Sequence, residues 1–207
     1  MASTTRKRSA SGARAAEAGS RRDEIMAASA ALFARKGFAH ATMRDVAQAT
    51  NILAGSLYHH FESKDALLLE IMVRFNEDIL RDMHAIIDGE DDPMVRLTSL
   101  IELGISYVIE RPDEARILTN DAHYIRESPT LAPIAELAAK AEELWIAQLR
   151  IGVKAGVLRS DLNPRIAYST ILGAIFSTLR WYRPTGRVSA KQLRRHVTEQ
   201  LLRGITS

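Results

Sequence analysis

Thr42-Met-Arg-Asp-Val-Ala-Gln-Ala-Thr-Asn-Ile-Leu-Ala-Gly-Ser-Leu-Tyr-His-His-Phe61 is the stretch whose reading decides the fold. Thr42 with Asp45 three residues on is a capping-box type start, so a short helix begins there, with Val46 and Ala47 turned inward. Asn51 follows, a residue that tolerates the left-handed backbone of a tight turn. A second short helix then holds Leu57, Tyr58 and Phe61. Two short helices across a tight turn make helix-turn-helix geometry. Small or apolar residues stand where the helices must cross: Val46, Ala47, Ile52 and Leu57.

Working outward, the chain reads as helices throughout. On the N-terminal side Ser20 is placed to cap a helix with Asp23 and Glu24 in its first turn. Ile25, Ala28, Leu32 and Phe33 form its apolar stripe, and Gly37 ends it. On the C-terminal side Ser63 caps a long helix with Leu67, Leu68, Ile71, Met72, Phe75, Ile79, Met83 and Ile86 on one face. Pro93 and Pro112 suit the first turns of two more helices. The stretch 121–133, with two prolines, reads as loop or broken helix. Further helices are expected from Ala135 to Ala155, from Pro164 to Arg183, and from Ser189 onward. The expectation is an all-α fold of nine helices. Three regions are expected: a disordered basic tail over 1–19, a helix-turn-helix unit over 20–66, and a larger helical unit over 67–207.

Composition limits the function. The 207 residues carry 46% hydrophobic side chains, enough for a real core. Cysteine is absent, which excludes disulfides, thiol chemistry and Cys-based zinc sites and suits a reducing cytoplasm. No apolar run is long enough to cross a bilayer, and the start of the chain lacks a signal-peptide pattern, so no membrane partner is expected. The net charge of +3 is unevenly spread: residues 1–19 carry +3, residues 20–64 carry +2 and the remainder −2. The positive end is where a polyanion would dock, although a merely solvated tail fits the charge equally well.

The second short helix has short or polar residues on the side away from the crossing: Ala54, Gly55, Ser56, His59 and His60. Gly55 and Ser56 would let the backbone approach a phosphate or base closely. Adjacent histidines on a helix point about 100° apart, so a surface role fits His59 and His60 better than a shared metal ion. Thr42-Met-Arg-Asp-Val-Ala47, Gly55-Ser-Leu-Tyr-His-His-Phe61 and Ser63-Lys64-Asp-Ala-Leu67 together resemble the DNA-binding signature of the TetR family of repressors. The match runs over about 45 residues without a gap, and the nine-helix pattern extends it along the chain. The resemblance implies that Tyr58 and Lys64 meet phosphates, that Thr42 does so while capping its helix, and that Arg44 reaches a base edge, favouring guanine. Ser56 and His60 would lie on the recognition surface. The sequence departs from the pattern at Asn51, usually Gly, and at Leu53, usually a capping Ser or Thr. Leu53 cannot cap.

The helix after Asn163 is apolar nearly all round, and such a helix must be covered on both sides. The resemblance implies that it and the last helix form a four-helix homodimer interface. Ser169, Gly173, Ser177 and Trp181 would lie in it, with Leu193, Val197 and Leu201 on one face of the last helix. A dimer would set two recognition helices about 34 Å apart on a near-palindrome. Gly55-Ser-Leu-Tyr-His-His-Phe61 with Arg180-Trp-Tyr-Arg-Pro184 also resembles the actinobacterial subgroup that represses cholesterol-ring catabolism and senses a coenzyme A thioester. That implies a small hydrophobic or acyl-CoA effector. Ile105, Leu118, Leu144, Leu172 and Phe176 would supply its walls, and Arg180, with Arg183, Arg116 and Arg126, its charge. Ion pairs at a helix end or interface are the competing role for Arg180 and Arg183. Two other classes stand beside a regulator. An enzyme lacks support, because no nucleophile elbow, metal-binding helix motif or phosphate loop is present, and no cofactor or metal is expected. A helical adaptor without DNA binding would fit Leu53.

Overall fold

The computed structural model describes residues 21–206. Ten α helices form among them. They are α1 (21–36), α2 (Met43–Ala49), α3 (Ala54–His60), α4 (Lys64–Gly89), α5 (Pro93–Glu110), α6 (Pro112–Asn120), α7 (Ala122–Glu127), α8 (Ala132–Lys154), α9 (Pro164–Trp181) and α10 (Ala190–Arg203). A 3₁₀ turn at Pro129–Leu131 links α7 to α8, and among the described residues the one β feature is an antiparallel bridge between Leu158 and Thr206. Ser20 and the basic tail lie outside the described residues.

The all-helical expectation holds, with one helix more than nine. The extra element is α7, in the stretch read as loop or broken helix. The two prolines there start elements instead of breaking them: Pro129 opens the 3₁₀ turn and Pro133 sits in the first turn of α8. At those positions proline loses no helix hydrogen bond. Consequently α8 begins at Ala132 rather than Ala135, and α9 ends at Trp181, two residues before the expected Arg183.

Five of the helix starts are fixed by side-chain caps. Thr42 Oγ1 accepts from the Asp45 amide while Asp45 accepts from the Thr42 amide, and Ser189 with Gln192 repeats the arrangement on α10. Ser63, Asp92 and Asn163 cap α4, α5 and α9. Asn51 takes φ +52° and turns the chain between α2 and α3.

Two apolar clusters fill the molecule. The first packs α1–α3 and the leading half of α4 around Phe33, Phe38 and Phe75, and draws in Ile117, Ile125, Leu131 and Ile134 from α6, α7, the 3₁₀ turn and α8. The second lies among α5, α8, α9, α10 and the trailing half of α4. Helix α4, 26 residues long, runs through both. Among the described residues no helix is long and apolar enough to cross a membrane.

Candidate nucleic-acid interface and ligand cavity

Helix α3 meets the rest of the chain through very little of its surface. Leu57 is fully buried and Ile52, just before the helix, packs on the first cluster. Ala54, Gly55, Ser56, Tyr58 and His59 are exposed, and His60 is half-buried. A Cβ at Gly55 would meet no atom within 4 Å, so the fold itself does not require glycine there. Leu53 occupies the N-cap position with extended backbone and makes no capping hydrogen bond, and its side chain is 81% exposed. The helix therefore starts where the pattern places it, without a side-chain cap.

Residues outside the motif hold this helix. The Arg22 guanidinium lies 4.1 Å over the Phe61 ring and donates to the His60 carbonyl at 2.6 Å. Its Nε and Nη2 grip both oxygens of Glu70, with Nε at 2.9 Å from Oε1. Glu70 also accepts from Arg74, which reaches Asp23 at 2.8 Å. Hydrogen bonding from Arg22 holds the Glu70 carboxyl below its ordinary range despite opposing desolvation. This clamp joins α1, the end of α3 and α4. A motif scan misses it because its members are 48 residues apart in sequence.

Arg44 and Thr42 are exposed on α2 beside α3, and no side-chain hydrogen bond of Arg44 is found among the described residues. Thr42 Oγ1 also donates to Asp45 Oδ2 at 2.8 Å, and Lys36 Nζ meets that oxygen at 2.6 Å. The Lys36 bond, then those from the Thr42 hydroxyl and amide, hold the Asp45 carboxyl at about 2. Lys64, expected to meet a phosphate, is half-buried at the start of α4. Its ammonium donates to the Phe38 and Ala41 carbonyls at 2.7 and 2.8 Å and lies 4.3 Å over the Phe38 ring. Two of its three donors are thus spent inside the chain. Lys64 ties the start of α4 to the α1–α2 loop, which fixes the position of α2.

A cavity of about 250 Å³ opens in the second cluster, between α4, α5, α6, α8 and α9. Leu118, Leu172 and Phe176 line it, together with Phe75, Trp145 and Tyr168. Ile105 and Leu144 do not line it. Ile105 is fully buried in the second cluster, and Leu144 packs on that cluster. Arg180 also stands outside the cavity, because α9 turns it to the exposed side. It lines instead an adjoining cleft of about 400 Å³ with Arg116, and this cleft shares Thr119 and Phe176 with the cavity wall. Arg183 lines a different hollow, and Arg126 is exposed on α7. Burial, with the Glu142 charge, pushes the Tyr168 hydroxyl up to about 12, so it stays protonated.

The cavity wall is linked to the head. Leu118 and Thr119 near the end of α6 line the cavity, and Asp121, which caps that helix, accepts from the Phe38 amide at 3.2 Å. Tyr124 on α7 packs its ring, tilted by 55°, against Phe38 at 4.9 Å and donates to Asp65 at 2.9 Å. Burial raises the Asp121 carboxyl, whose Oδ2 has no partner among the described residues.

Of the residues expected at a dimer contact, Ser169, Gly173, Ser177 and Trp181 form an exposed stripe on α9, with Ile166 at its start 66% exposed. On α10 the expectation fails for Leu193, which is 2% exposed and belongs to the chain's own core, while Val197 and Leu201 pack half-buried against that core. Val197 and Leu201 thus keep part of their surface open, and the outer face of α10 carries Arg195, His196 and Glu199.

A tight two-helix head with one exposed helix face, carried on a hollow helical body, defines a helix-turn-helix transcriptional regulator. Residues 25–71 match the family model for bacterial regulatory proteins of the tetR family, and residues 90–205 match that for the tetracyclin repressor-like C-terminal domain. The chain belongs to the TetR family. It is 30% identical over 192 residues to the HTH-type transcriptional repressor KstR2 of Mycobacterium tuberculosis, covering 93% of this chain and 96% of that one. With KstR2 of Mycolicibacterium smegmatis it is 31% identical over 90% of this chain and 91% of that one. The solved structure of the ketosteroid transcriptional regulator KstR2 of Mycobacterium tuberculosis superposes with a TM-score of 0.85 over 90% of this chain and 95% of that one, at 30% identity. AibR, solved in complex with isovaleryl coenzyme A and operator DNA, shares the fold at 21% identity, with a TM-score of 0.76 over 88% of this chain and 98% of that one.

Proposed function

We propose that this chain is a ligand-responsive repressor that binds a near-palindromic operator as a homodimer in the cytoplasm and is released by a small hydrophobic effector. The observation that carries the reading is the exposure of α3: Ala54, Gly55, Ser56, Tyr58 and His59 face outward and only Leu57 is buried. Glycine at 55, unneeded by the fold, suits close approach of a DNA backbone. Arg44 and Ser56 are assigned to base edges and Thr42, Tyr58 and His60 to phosphates, with Lys64 a tether that retains one donor for phosphate. The head is taken as residues 20–66 and the sensing and pairing unit as 67–207, with the basic tail following the duplex. The exposed α9 stripe supports pairing through Ser169, Gly173, Ser177 and Trp181. At Gly173 a Cβ would touch nothing within 4 Å, so glycine in mid-helix has no internal reason there.

The apolar cavity supports a hydrophobic effector, and the cleft beside it supports an acyl-CoA thioester. An acyl group would fill the cavity, and the phosphates would lie by Arg116 and Arg180. Neither arginine lines the cavity itself, so the thioester would have to pass Thr119 and Phe176. That AibR is solved with isovaleryl coenzyme A and operator DNA and that KstR2 is a ketosteroid regulator point the same way. Release would follow the path from α6 through Asp121 and Tyr124 to Phe38.

The test is a mobility shift with duplex fragments from the neighbourhood of the chain's own gene, repeated with isovaleryl-CoA and with free CoA. A retarded complex that Tyr58→Ala weakens on all fragments, that Arg44→Ala redirects among base variants, and that an acyl-CoA dissolves is expected. Absence of any shift at low salt overturns the DNA reading. A shift indifferent to acyl-CoA overturns the effector class alone. Sedimentation should give a dimer, and a stable monomer at micromolar concentration would remove the near-palindrome from the proposal.

A further inference from the structure

The cavity wall contains one polar side chain where an apolar one would fit the pattern. Asn76 sits on α4, directly after Phe75, in a helix face otherwise made of Leu67, Leu68, Ile71, Met72 and Met83. It is 4% exposed, and it lines the cavity. Its Nδ2 donates to the Met72 carbonyl at 2.7 Å. A carbonyl can only accept, so the amide nitrogen must face Met72 and Oδ1 is the atom turned away. No protein partner of Oδ1 is found among the described residues. The residue is buried, but Oδ1 stands in the cavity wall, where its hydrogen bond must come from whatever fills the cavity, water or a ligand.

Resting on the reading of this cavity as the effector site, we propose that Asn76 is its polar anchor and selects a bulky apolar molecule that carries a hydroxyl group. The hydroxyl hydrogen is donated to Asn76 Oδ1, and the hydrocarbon frame is covered by Phe75, Trp145, Leu172 and Phe176. Of the other oxygens in the wall, Tyr107 already donates to Asp82 and Thr119 to the Arg116 carbonyl, whereas Tyr168 stays a donor and can complete the hydroxyl's bonding from the α9 side. The acceptor character of Oδ1 sets the class: a hydrocarbon leaves it unpaired, and a bare ether or ester oxygen cannot serve it. This is why a site that is apolar overall need not prefer the most apolar ligand.

The experiment compares two saturated bicycles that differ by one hydroxyl, 2-decalol and decalin, titrated into the full-length protein and followed by Trp fluorescence and by thermal shift. A purely apolar cavity binds the hydrocarbon better, because the alcohol gives up its water. Wild type is expected to bind the alcohol at least tenfold more tightly, and Asn76→Leu to reverse that order. If wild type binds decalin as well as or better than 2-decalol, the anchor is overturned while the cavity reading stands. An alcohol preference that persists undiminished in Asn76→Leu also overturns it. If neither compound binds, the cavity reading itself fails and the anchor with it. The wild-type comparison decides the matter even where the variant does not fold.

Discussion

The two ends of α4 live in different surroundings. Its leading half, Lys64 to Phe75, is embedded in a filled cluster and tied by charge: Arg22 to Glu70, Lys64 to two carbonyls, Arg74 to Asp23. Its trailing half, from Asn76 to Met83, borders a hollow. The head presents a fixed surface, which reading DNA requires, whereas the body retains empty volume, which taking up a molecule requires. Packing a protein interior to its usual density would remove the second capacity. One continuous helix joins the two, and α6 and α7 touch the head beside it, so a change in the hollow has a mechanical route to the surface.

The widest gap between the regions should appear when the same side chain is truncated in each. Phe33, fully buried in the head, should cost about 3–5 kcal/mol as Phe33→Ala. Phe176, half-buried on the cavity wall, should cost about 1 kcal/mol as Phe176→Ala, because its neighbours already face empty space. Urea unfolding monitored by circular dichroism gives both values. Equal losses would mean that the hollow closes in solution and that the contrast is not real.

Next in size is the clamp. Arg22→Ala removes the bidentate grip on Glu70, the donation to His60 and the stack on Phe61 at once. The pair is partly solvated, so about 2 kcal/mol is expected rather than the larger cost of a dry ion pair. DNA affinity should fall further than stability explains, since the end of α3 loses the guanidinium that ties it to α1 and α4. A variant destabilised by that amount but binding DNA as wild type would show that α3 is positioned by Leu57 alone.

How much of this could be read from the chain is itself uneven. The head was legible almost to the residue, because Thr42, Asn51 and Leu57 act locally, through a cap, a turn and a crossing. The clamp was not, because Arg22 and Glu70 become neighbours only after folding. In the body, periodicity located the helices but could not assign their faces. Leu193 carries the spacing of an interface residue and is spent on the core, and Ile105 and Leu144 are apolar like the true cavity lining. Hydrophobicity alone does not say whether the space beside a side chain is filled.

A smaller effect should come from the uncapped start of α3. Leu53 already has the extended backbone of an N-cap, with φ −62° and ψ 136°, and lacks only a side-chain acceptor. Leu53→Ser supplies one and should raise stability by about 1 kcal/mol, read as a higher urea midpoint. No gain would indicate that the orphan amides are already well solvated. A gain in stability accompanied by weaker DNA binding would place the leucine in the interface, trading rigidity of the head for contact.

The smallest contribution expected is electrostatic and depends on pH. Asp45 is an exposed carboxylate held at about 2 by Lys36 and Thr42, below the 3.8 of an unconstrained one. Because the folded chain binds this proton less readily than the unfolded chain, the bonds of Asp45 stabilise the head in full above pH 3.8, and that contribution fades as the pH falls to about 2. Wild type and Asp45→Asn should therefore differ more in urea midpoint at pH 6 than at pH 3. In 1 M salt the Lys36 part should shrink while the Thr42 hydrogen bonds persist. A difference that grew on acidification would mean that Asp45 is protonated more readily in the folded state, and that the start of α2 is fixed by something other than its capping box. The cavity wall offers the control: Tyr168, pushed up to about 12, keeps its proton throughout this range, so the body should not respond through that group. An acid-dependent loss confined to DNA binding would then place the sensitivity in the head.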